Sequence, residues 1–357
     1  MKKVMIFTYS LGRGGSELNA YKCTKILDRH MFDWYCLNFD SVDIMNLLQD
    51  SKNIKQIVNL NFKSLTNIDF LIHLSRVIKE RKYTTIYAVG FMPSLIVSIV
   101  KLVFGIKIKL VTTRREMMPW KSFYHTPFIR LINYASNNIE TNSKTIINNL
   151  KSELFTHNKV YFVPNIILKS NTQKKMKFFL NSKRYVGTVA NVRKAKNIHL
   201  FLKIAQYVIK NNKDIVFMIA GKDKDGMVSK FIESNDLSNQ LFIYEDIDFD
   251  NISKFYSGLD VFLFTSIYEG SPNVIYEAMS NGIPIVSSNI PAVRELVVNG
   301  SNGYLVELNN FDGFVSKIET ILYDDSLRLR IIESNKKKSK ELTLPDSIKF
   351  ILEDVFI

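Results

Sequence analysis

Residues 260–287, DVFLFTSIYEGSPNVIYEAMSNGIPIVS, decide how the rest of the chain is read. Asp260–Thr265 is an apolar run rich in β-branched and aromatic residues, the pattern of a parallel strand buried on both faces. Ser266–Ser271 has the composition of a loop. Ser271-Pro272 then predicts a helix start, with Ser at the cap and Pro at the first helical position, where a missing N–H costs nothing. The helix is expected over Asn273–Ser280, ending at Asn281-Gly282. Ile283–Ser287 reads as the next buried strand.

Two carboxylates belong to this unit. Glu269 falls in the loop at the mouth of the helix, and Glu277 on the helix, one turn after Asn273 and on its face. Between them the N–H groups of the helix N-terminus, from Gly270 to Val274, carry the positive end of the helix dipole. An acid, a ring of N–H donors and a second acid suit a ligand with sugar hydroxyls at both ends and a diphosphate between. Carboxylates accept hydrogen bonds from vicinal hydroxyls, and N–H groups stabilise phosphate charge.

Glu269-Gly270-Ser271-Pro272-Asn273 through Glu277, with Ala278, Gly282 and Pro284 behind it, resembles the E-x7-E signature of glycosyltransferase family 4. That resemblance implies a GT-B fold: α/β, two Rossmann-like doubly wound domains facing an interdomain cleft. It also implies a retaining transfer of sugar from a nucleotide-diphosphate sugar. Glu269 would then bind sugar hydroxyls and support an oxocarbenium-like transition state. Glu277 would bind the ribose. Gly270, Ser271, Pro272, Asn273 and Val274 would line the donor site.

The preceding segments fit a β-α alternation. Arg184–Val189 reads as a strand, Ile198–Lys210 as a helix, and Ile215–Ala220 and Leu241–Tyr244 as further strands. Arg193 and Lys196 lie in the loop after the first of these strands, on the same sheet edge as Glu269. A departing diphosphate gains negative charge in the transition state, and a nearby cation stabilises it. Lys196 matches the diphosphate lysine of the family. The family's arginine falls at Asn191 here, so Arg193 is the expected substitute. Asp223-Lys224-Asp225 and Asp246-Ile247-Asp248 look like metal-binding D-x-D motifs but fall in expected surface turns, and no metal is assigned.

In the first half, Val4–Tyr9 predicts a strand leading into Leu11-Gly12-Arg13-Gly14-Gly15-Ser16-Glu17 and a helix over about 18–29. Gly14 and Gly15 would let backbone N–H groups approach a phosphate. The loop lacks the third glycine of a dinucleotide fingerprint and the Gly-Lys-Ser/Thr of a P-loop, and resembles the family's G-G-x-E loop. Further strands are expected over Trp34–Phe39, Thr85–Val89, Ile108–Thr112, Ile139–Asn142 and Lys159–Val163, and helices over Ile68–Arg81 and Ser94–Phe104. Arg114 and Arg115 end a strand, where open α/β sheets bind ligands. With His125 they are the expected acceptor-side residues. Cys23 and Cys36 read as reduced core thiols.

The 357 residues suggest two domains, expected over 1–168 and 183–335. Residues 169–182 would be the linker. Residues 336–357 would form a tail and a helix returning to the first domain. No signal peptide is expected, and Phe91–Val111, the most apolar window, is broken by Pro93, Gly105 and three lysines. The net charge of +14 is uneven: residues 1–170 hold 24 Lys and Arg against 11 Asp and Glu, and residues 171–357 hold 24 against 23. A basic half suits an anionic partner. The expected partners are a nucleotide-sugar donor, a glycan or lipid-linked acceptor and the anionic inner leaflet. That places the protein in the cytoplasm, peripheral to the membrane, with no nucleic acid and no cofactor beyond the sugar nucleotide. Two other functions fit the same sequence. A nucleotide-sugar epimerase would make isomers without an acceptor. A non-enzymatic basic protein that binds membranes or nucleic acid would keep its binding without Glu269 and Lys196.

Overall fold

The structure is a computed structural model of the 357-residue chain. It describes residues 3–12, 14–40, 42–115, 123–157, 159–166, 183–245, 247, 249–342 and 345–356. The expected linker and both Asp246 and Asp248 lie outside them. The chain divides into two units, Met1–Ile166 with Leu344–Ile357, and Ile167–Thr343.

The first unit alternates strand and helix: β1 Lys3–Thr8, α1 Gly15–Ile26, β2 Met31–Cys36, α2 Met45–Gln49, β3 Ile54–Asn59, α3 Ile68–Glu80, β4 Thr85–Ala88, α4 Phe91–Val103, β5 Lys109–Thr113, α5 Thr126–Ala135, β6 Asn138–Thr141, α6 Lys144–Lys151 and β7 Val160–Phe162. The strands form one sheet in the order β3-β2-β1-β4-β5-β6-β7, and each pairing is parallel. The order reverses between β1 and β4, the switch point of a doubly wound sheet. Helix starts follow local chemistry. Asn67 accepts from the Phe70 amide at 3.1 Å to cap α3, and Ser143 accepts from Ile146 at 3.4 Å to cap α6. Phe70, Leu74 and Ile78 then recur on one buried stripe of α3. β3 and α2 carry no clear period and escape sequence reading. Cys23 and Cys36 are buried, and burial pushes both thiols up to about 12.

The second unit continues with β8 Arg184–Val189, α7 Ile198–Asn211, β9 Ile215–Ala220, α8 Met227–Ser234, β10 Leu241–Tyr244, α9 Phe249–Tyr256, β11 Val261–Phe264, α10 Asn273–Ser280, β12 Ile285–Ser288, α11 Pro291–Arg294, β13 Gly303–Val306, α12 Phe311–Tyr323 and α13 Asp325–Leu342. Its parallel sheet has the order β10-β9-β8-β11-β12-β13, with the switch point between β8 and β11. At Gly221 a Cβ would run into the Ala190 carbonyl, so only glycine lets the ends of β8 and β9 come this close.

The basic run at 336–340 belongs to α13 and stays in the second unit, so the return to the first unit begins later than the sequence suggests. The returning element is α14, Pro345–Phe356. Its last carbonyls are each met by a donor from the first unit. Lys109 Nζ reaches Asp354 O at 2.9 Å, Asn138 Nδ2 reaches Val355 O at 2.8 Å, and Thr85 Oγ1 reaches Phe356 O at 2.9 Å. These bonds satisfy carbonyls that a helix end leaves unpaired. Phe356 packs its ring on Tyr87 at 4.4 Å.

Candidate active site

The site follows from strand order in the second unit. Because β8 and β11 are neighbours at the switch point, the loop after β8 and the loop after β11 leave the sheet side by side. Three bonds stitch them together. The Ile267 amide donates to Ala195 O at 2.8 Å. The Thr265 hydroxyl reaches the carbonyls of Lys196 at 3.0 Å and Asn197 at 3.2 Å. Asn197 takes the left-handed conformation at φ 48° and ψ 47°, which lets the short turn Lys194–Lys196 pass directly into α7.

This stitching brings two expected site residues together. Lys196 Nζ lies 2.5 Å from Glu269 Oε1. The Ser266 hydroxyl donates to the same oxygen at 3.1 Å. Ser266 is held in turn: Ser288 at the end of β12 donates to its carbonyl at 2.6 Å. The Lys196 ammonium also lies 5.9 Å from the centre of the Phe264 ring. Both partners of the ion pair keep about a fifth of their side chains exposed, so the pair is desolvated but reachable.

Glu277 is fixed from behind. Tyr256, fully buried at the end of α9, donates its hydroxyl to Glu277 Oε2 at 2.9 Å. Burial, with the Glu277 charge added, pushes the Tyr256 phenol well above its ordinary range. The tyrosine therefore stays protonated and remains a donor. Gly270 is buried, and Ser271, Asn273 and Val274 are half-buried around the start of α10. The expected cap differs in detail. Pro272, not Ser271, occupies the cap position, with extended backbone at ψ 108°, and the helix proper starts at Asn273. The Ser271 hydroxyl instead reaches Tyr276 Oη at 3.4 Å.

Arg193 is exposed and begins the turn that carries Lys196, its carbonyl accepting from the Lys196 amide at 2.9 Å. Asn191 is committed elsewhere, its side chain accepting from the Lys222 amide at 2.9 Å. The Asp223 motif needs correction. The expected turn is present, the Gly226 amide donating to Asp223 O at 3.0 Å with Lys224 and Asp225 exposed, but the Asp223 side chain is buried, and its carboxylate accepts from the amides of Met227 at 3.0 Å, Val228 at 2.8 Å and Ser229 at 3.3 Å. It closes the N-terminus of α8.

In the first unit, Gly14 caps α1 and Gly15 is its first residue, so the helix starts earlier than expected. The Glu17 carboxylate folds back against Gly14. Arg114 and Arg115 require a larger correction, because both are turned inward. Arg115 forms a buried ion pair with Glu140 and reaches Asn165 Oδ1 at 3.4 Å. Tyr87 donates to the same carboxylate at 2.5 Å. Arg114 reaches Asn133 Oδ1 at 3.0 Å and lies 3.8 Å from Glu153. A fully buried carboxylate such as Glu140 requires a paired cation, and reading Ile139–Asn142 as a strand assigned Glu140 no partner. His125 is half-buried, edge-on to Phe91 at 6.1 Å. Sequence reading missed Ser266, Ser288 and Tyr256. Ser266 had a signal, a hydroxyl at a strand's end three residues before an acid; Tyr256 had none.

This constellation stands in a chain with recognisable relatives. The model of the family described as glycosyl transferases group 1 matches residues 170–338. The chain is 35% identical over 142 residues to a UDP-Gal:alpha-D-GlcNAc-diphosphoundecaprenol alpha-1,3-galactosyltransferase of Escherichia coli, covering 38% of this chain and 35% of that protein. It is 25% identical, over 99% of its length and 100% of the other's, to a Campylobacter jejuni N-acetylgalactosamine-N,N'-diacetylbacillosaminyl-diphospho-undecaprenol 4-alpha-N-acetylgalactosaminyltransferase. Other curated relatives are matched over between a quarter and about a half of their own length. Among solved structures, Anabaena Alr3699/HepE in complex with UDP and glucose has a TM-score of 0.83 at 17% identity, with 99% of each chain covered. The fold is that of GT-B glycosyltransferases. The family match and the relatives, together with it, support a glycosyltransferase.

Proposed function

We propose that the protein is a retaining glycosyltransferase of family 4 type, which moves a sugar from a nucleotide-diphosphate sugar to an acceptor hydroxyl in bacterial surface polysaccharide or glycolipid assembly. The observation that carries this reading is the Lys196–Glu269 pair at the β8/β11 switch point. Glu269, with one oxygen held by Lys196 and Ser266, presents the other to sugar hydroxyls and to positive charge developing at the anomeric carbon. Lys196, Arg193 and the start of α10 meet the growing charge of the leaving diphosphate, so no metal ion is required of the protein. Glu277, held by Tyr256, takes the ribose. The leaving phosphate acts as base to the acceptor on the same face. Relatives named for alpha-linked products support retention.

The first unit is assigned the acceptor. Its surplus of Lys and Arg fits an acceptor carried on a lipid, and with it a peripheral place at the anionic inner face of the cell membrane. Among the described residues no helix is long and apolar enough to cross a membrane. The test is a panel of nucleotide sugars with undecaprenyl-diphosphate-linked acceptors, read by mass spectrometry and by the anomeric proton coupling of the product. An α-linked product is expected. Isomerised nucleotide sugar without acceptor would replace the proposal with an epimerase, and a β-linked product from an α-linked donor would end the assignment of retention.

A further inference from the structure

The turn that carries Lys196 interrupts a helix where local propensity favours continuing it. Residues 194–196, Lys-Ala-Lys, are good helix formers and lead directly into α7. Counted back from α7 at helical spacing, position 196 falls in line with Leu200, Lys203 and Tyr207. Lys203 and Tyr207 are exposed, whereas the residues that seat α7 are Ile198, Phe201, Leu202, Ala205 and Val208. A helix grown backward through residue 194 would therefore turn the Lys196 side chain to solvent, away from Glu269.

Asn197 breaks that continuation. Its backbone is left-handed, and its side chain makes no capping bond. Asparagine at a helix start ordinarily caps from an extended backbone; here it serves through its tolerance of the left-handed region. With the chain turned there, the Leu200 amide donates to Asn197 O at 3.0 Å. A regular helix would direct that amide to Lys196 O, four residues back.

The carbonyls of this corner are met instead from the loop after β11. Ala195 O accepts from the Ile267 amide at 2.8 Å, and the Thr265 hydroxyl lies 3.0 Å from Lys196 O and 3.2 Å from Asn197 O. The loop thus competes with helix growth for the same acceptors. Only Thr265 does so with a side chain, and at 3% exposure its hydroxyl is a donor that water does not replace. At its other end Lys196 has its ammonium 5.9 Å from the centre of the Phe264 ring and 2.5 Å from Glu269 Oε1. One short stretch, from Phe264 to Glu269, therefore fixes both the carbonyl and the ammonium of Lys196.

We infer that Thr265 is a positioning residue for sugar transfer. With Asn197 left-handed, its hydroxyl keeps α7 from growing backward and so keeps Lys196 aimed at Glu269 and at the diphosphate beside it. The inference rests on the reading above that Lys196 meets the leaving diphosphate, and it adds what sets the direction of that side chain.

The experiment measures transfer kinetics on the full chain and, separately, affinity for UDP and GDP by calorimetry. Thr265→Val keeps the shape and loses the hydroxyl, so kcat/KM should fall at least about tenfold, while Thr265→Ser should stay within about threefold of wild type. Asn197→Gly, which takes the left-handed turn freely, should resemble wild type, and Asn197→Ala, which favours the helix, should follow Thr265→Val. In a Lys196→Ala background Thr265→Val should cost less than about twofold more. A packing role would give the same loss with or without Lys196. Wild-type kinetics in a folded Thr265→Val variant overturn the inference, as does an undiminished loss in the Lys196→Ala background. If Thr265→Val unfolds, the two Asn197 variants decide, and equal kinetics in both overturn it. If wild type binds UDP or GDP but transfers no sugar, and Thr265→Val and Lys196→Ala weaken that binding alike, the transferase reading falls and the positioning role stands. Nucleotide binding without transfer that Thr265→Val leaves intact overturns both, as does a wild type that neither binds nor transfers.

Discussion

Lys196 and Glu269 are joined at 2.5 Å although 73 residues separate them. The strand order makes the pair, since β8 and β11 are neighbours with β9 and β10 set aside on the same flank. If the cation serves the leaving group and the carboxylate the sugar, the two substitutions have different signatures. Glu269→Gln keeps shape and removes charge, so turnover should fall far more than donor affinity. Unchanged turnover at saturating donor would remove Glu269 from the chemistry. Lys196→Ala should cost about 2–4 kcal/mol at the transition state. Because the side chains touch, the double variant should lose less than the sum of the single losses.

Arg193 stands in the same turn as Lys196, exposed and two residues after the position at which the family carries its arginine. Arg193→Ala should raise the donor KM severalfold if the guanidinium meets the diphosphate. Donor kinetics identical to wild type would make it a surface residue.

Tyr256 and Ser266 each hold one oxygen of a site carboxylate. Tyr256→Phe removes a hydrogen bond to a charged group, worth about 1.5–3 kcal/mol, and should raise donor KM with kcat nearly unchanged. Ser266→Ala should lower kcat, and Ser266→Thr should restore most of it. Equal losses in both parameters with a lowered melting temperature would reduce either residue to a packing role.

Arg115 was expected on the acceptor side and instead forms a buried ion pair with Glu140. Removing one partner leaves an unpaired buried charge, so Arg115→Met or Glu140→Gln should destabilise the protein by about 3–5 kcal/mol. Denaturant titration should report that loss while the donor KM of the folded fraction stays at its wild-type value. A stable Arg115→Met variant with impaired acceptor KM would restore the first expectation.

Burial, reinforced by neighbouring carboxylates, raises the phenols of Tyr83, Tyr87 and Tyr256. An unfolded chain ionises its tyrosines near pH 10. A raised folded value gives stability that is complete below about pH 10 and declines as pH climbs above it. Urea midpoints should therefore be insensitive to these groups below that pH and drop above it, with tyrosinate absorbance appearing together with unfolding. Tyrosinate from these three before the fold is lost would contradict their burial.

Much of the second sheet could be read residue by residue. Its strands are short, continuous apolar runs, and Arg184–Val189, Ile215–Ala220 and Leu241–Tyr244 have the expected bounds. Such runs are what a sheet covered on both faces demands. The pairing of Lys196 with Glu269 was visible only as a shared sheet edge, because contact depends on Thr265 and Ile267 tying two loops together, and tertiary bonds leave no periodic trace. The arginines misled for a related reason. The end of a parallel strand is where ligands bind, but it is also where a long side chain can fold back to neutralise a carboxylate on the next strand. Pattern gives the address of Arg115 and not the direction of its guanidinium.

The docking of α14 on the first unit has a consequence for biogenesis. That unit is assembled from two stretches of messenger, and the whole second unit is translated between them. At about 5–20 residues per second a ribosome needs on the order of 10–40 s to cross the gap. Throughout that interval the nascent first sheet waits with Tyr87 uncovered and Thr85, Lys109 and Asn138 without the carbonyls they will meet. The uninterrupted second unit can finish folding ahead of the one that was begun earlier. Ribosome-bound intermediates should thus show the order of maturation reversed relative to the order of synthesis, and the half-finished basic sheet is the species that chaperones would meet.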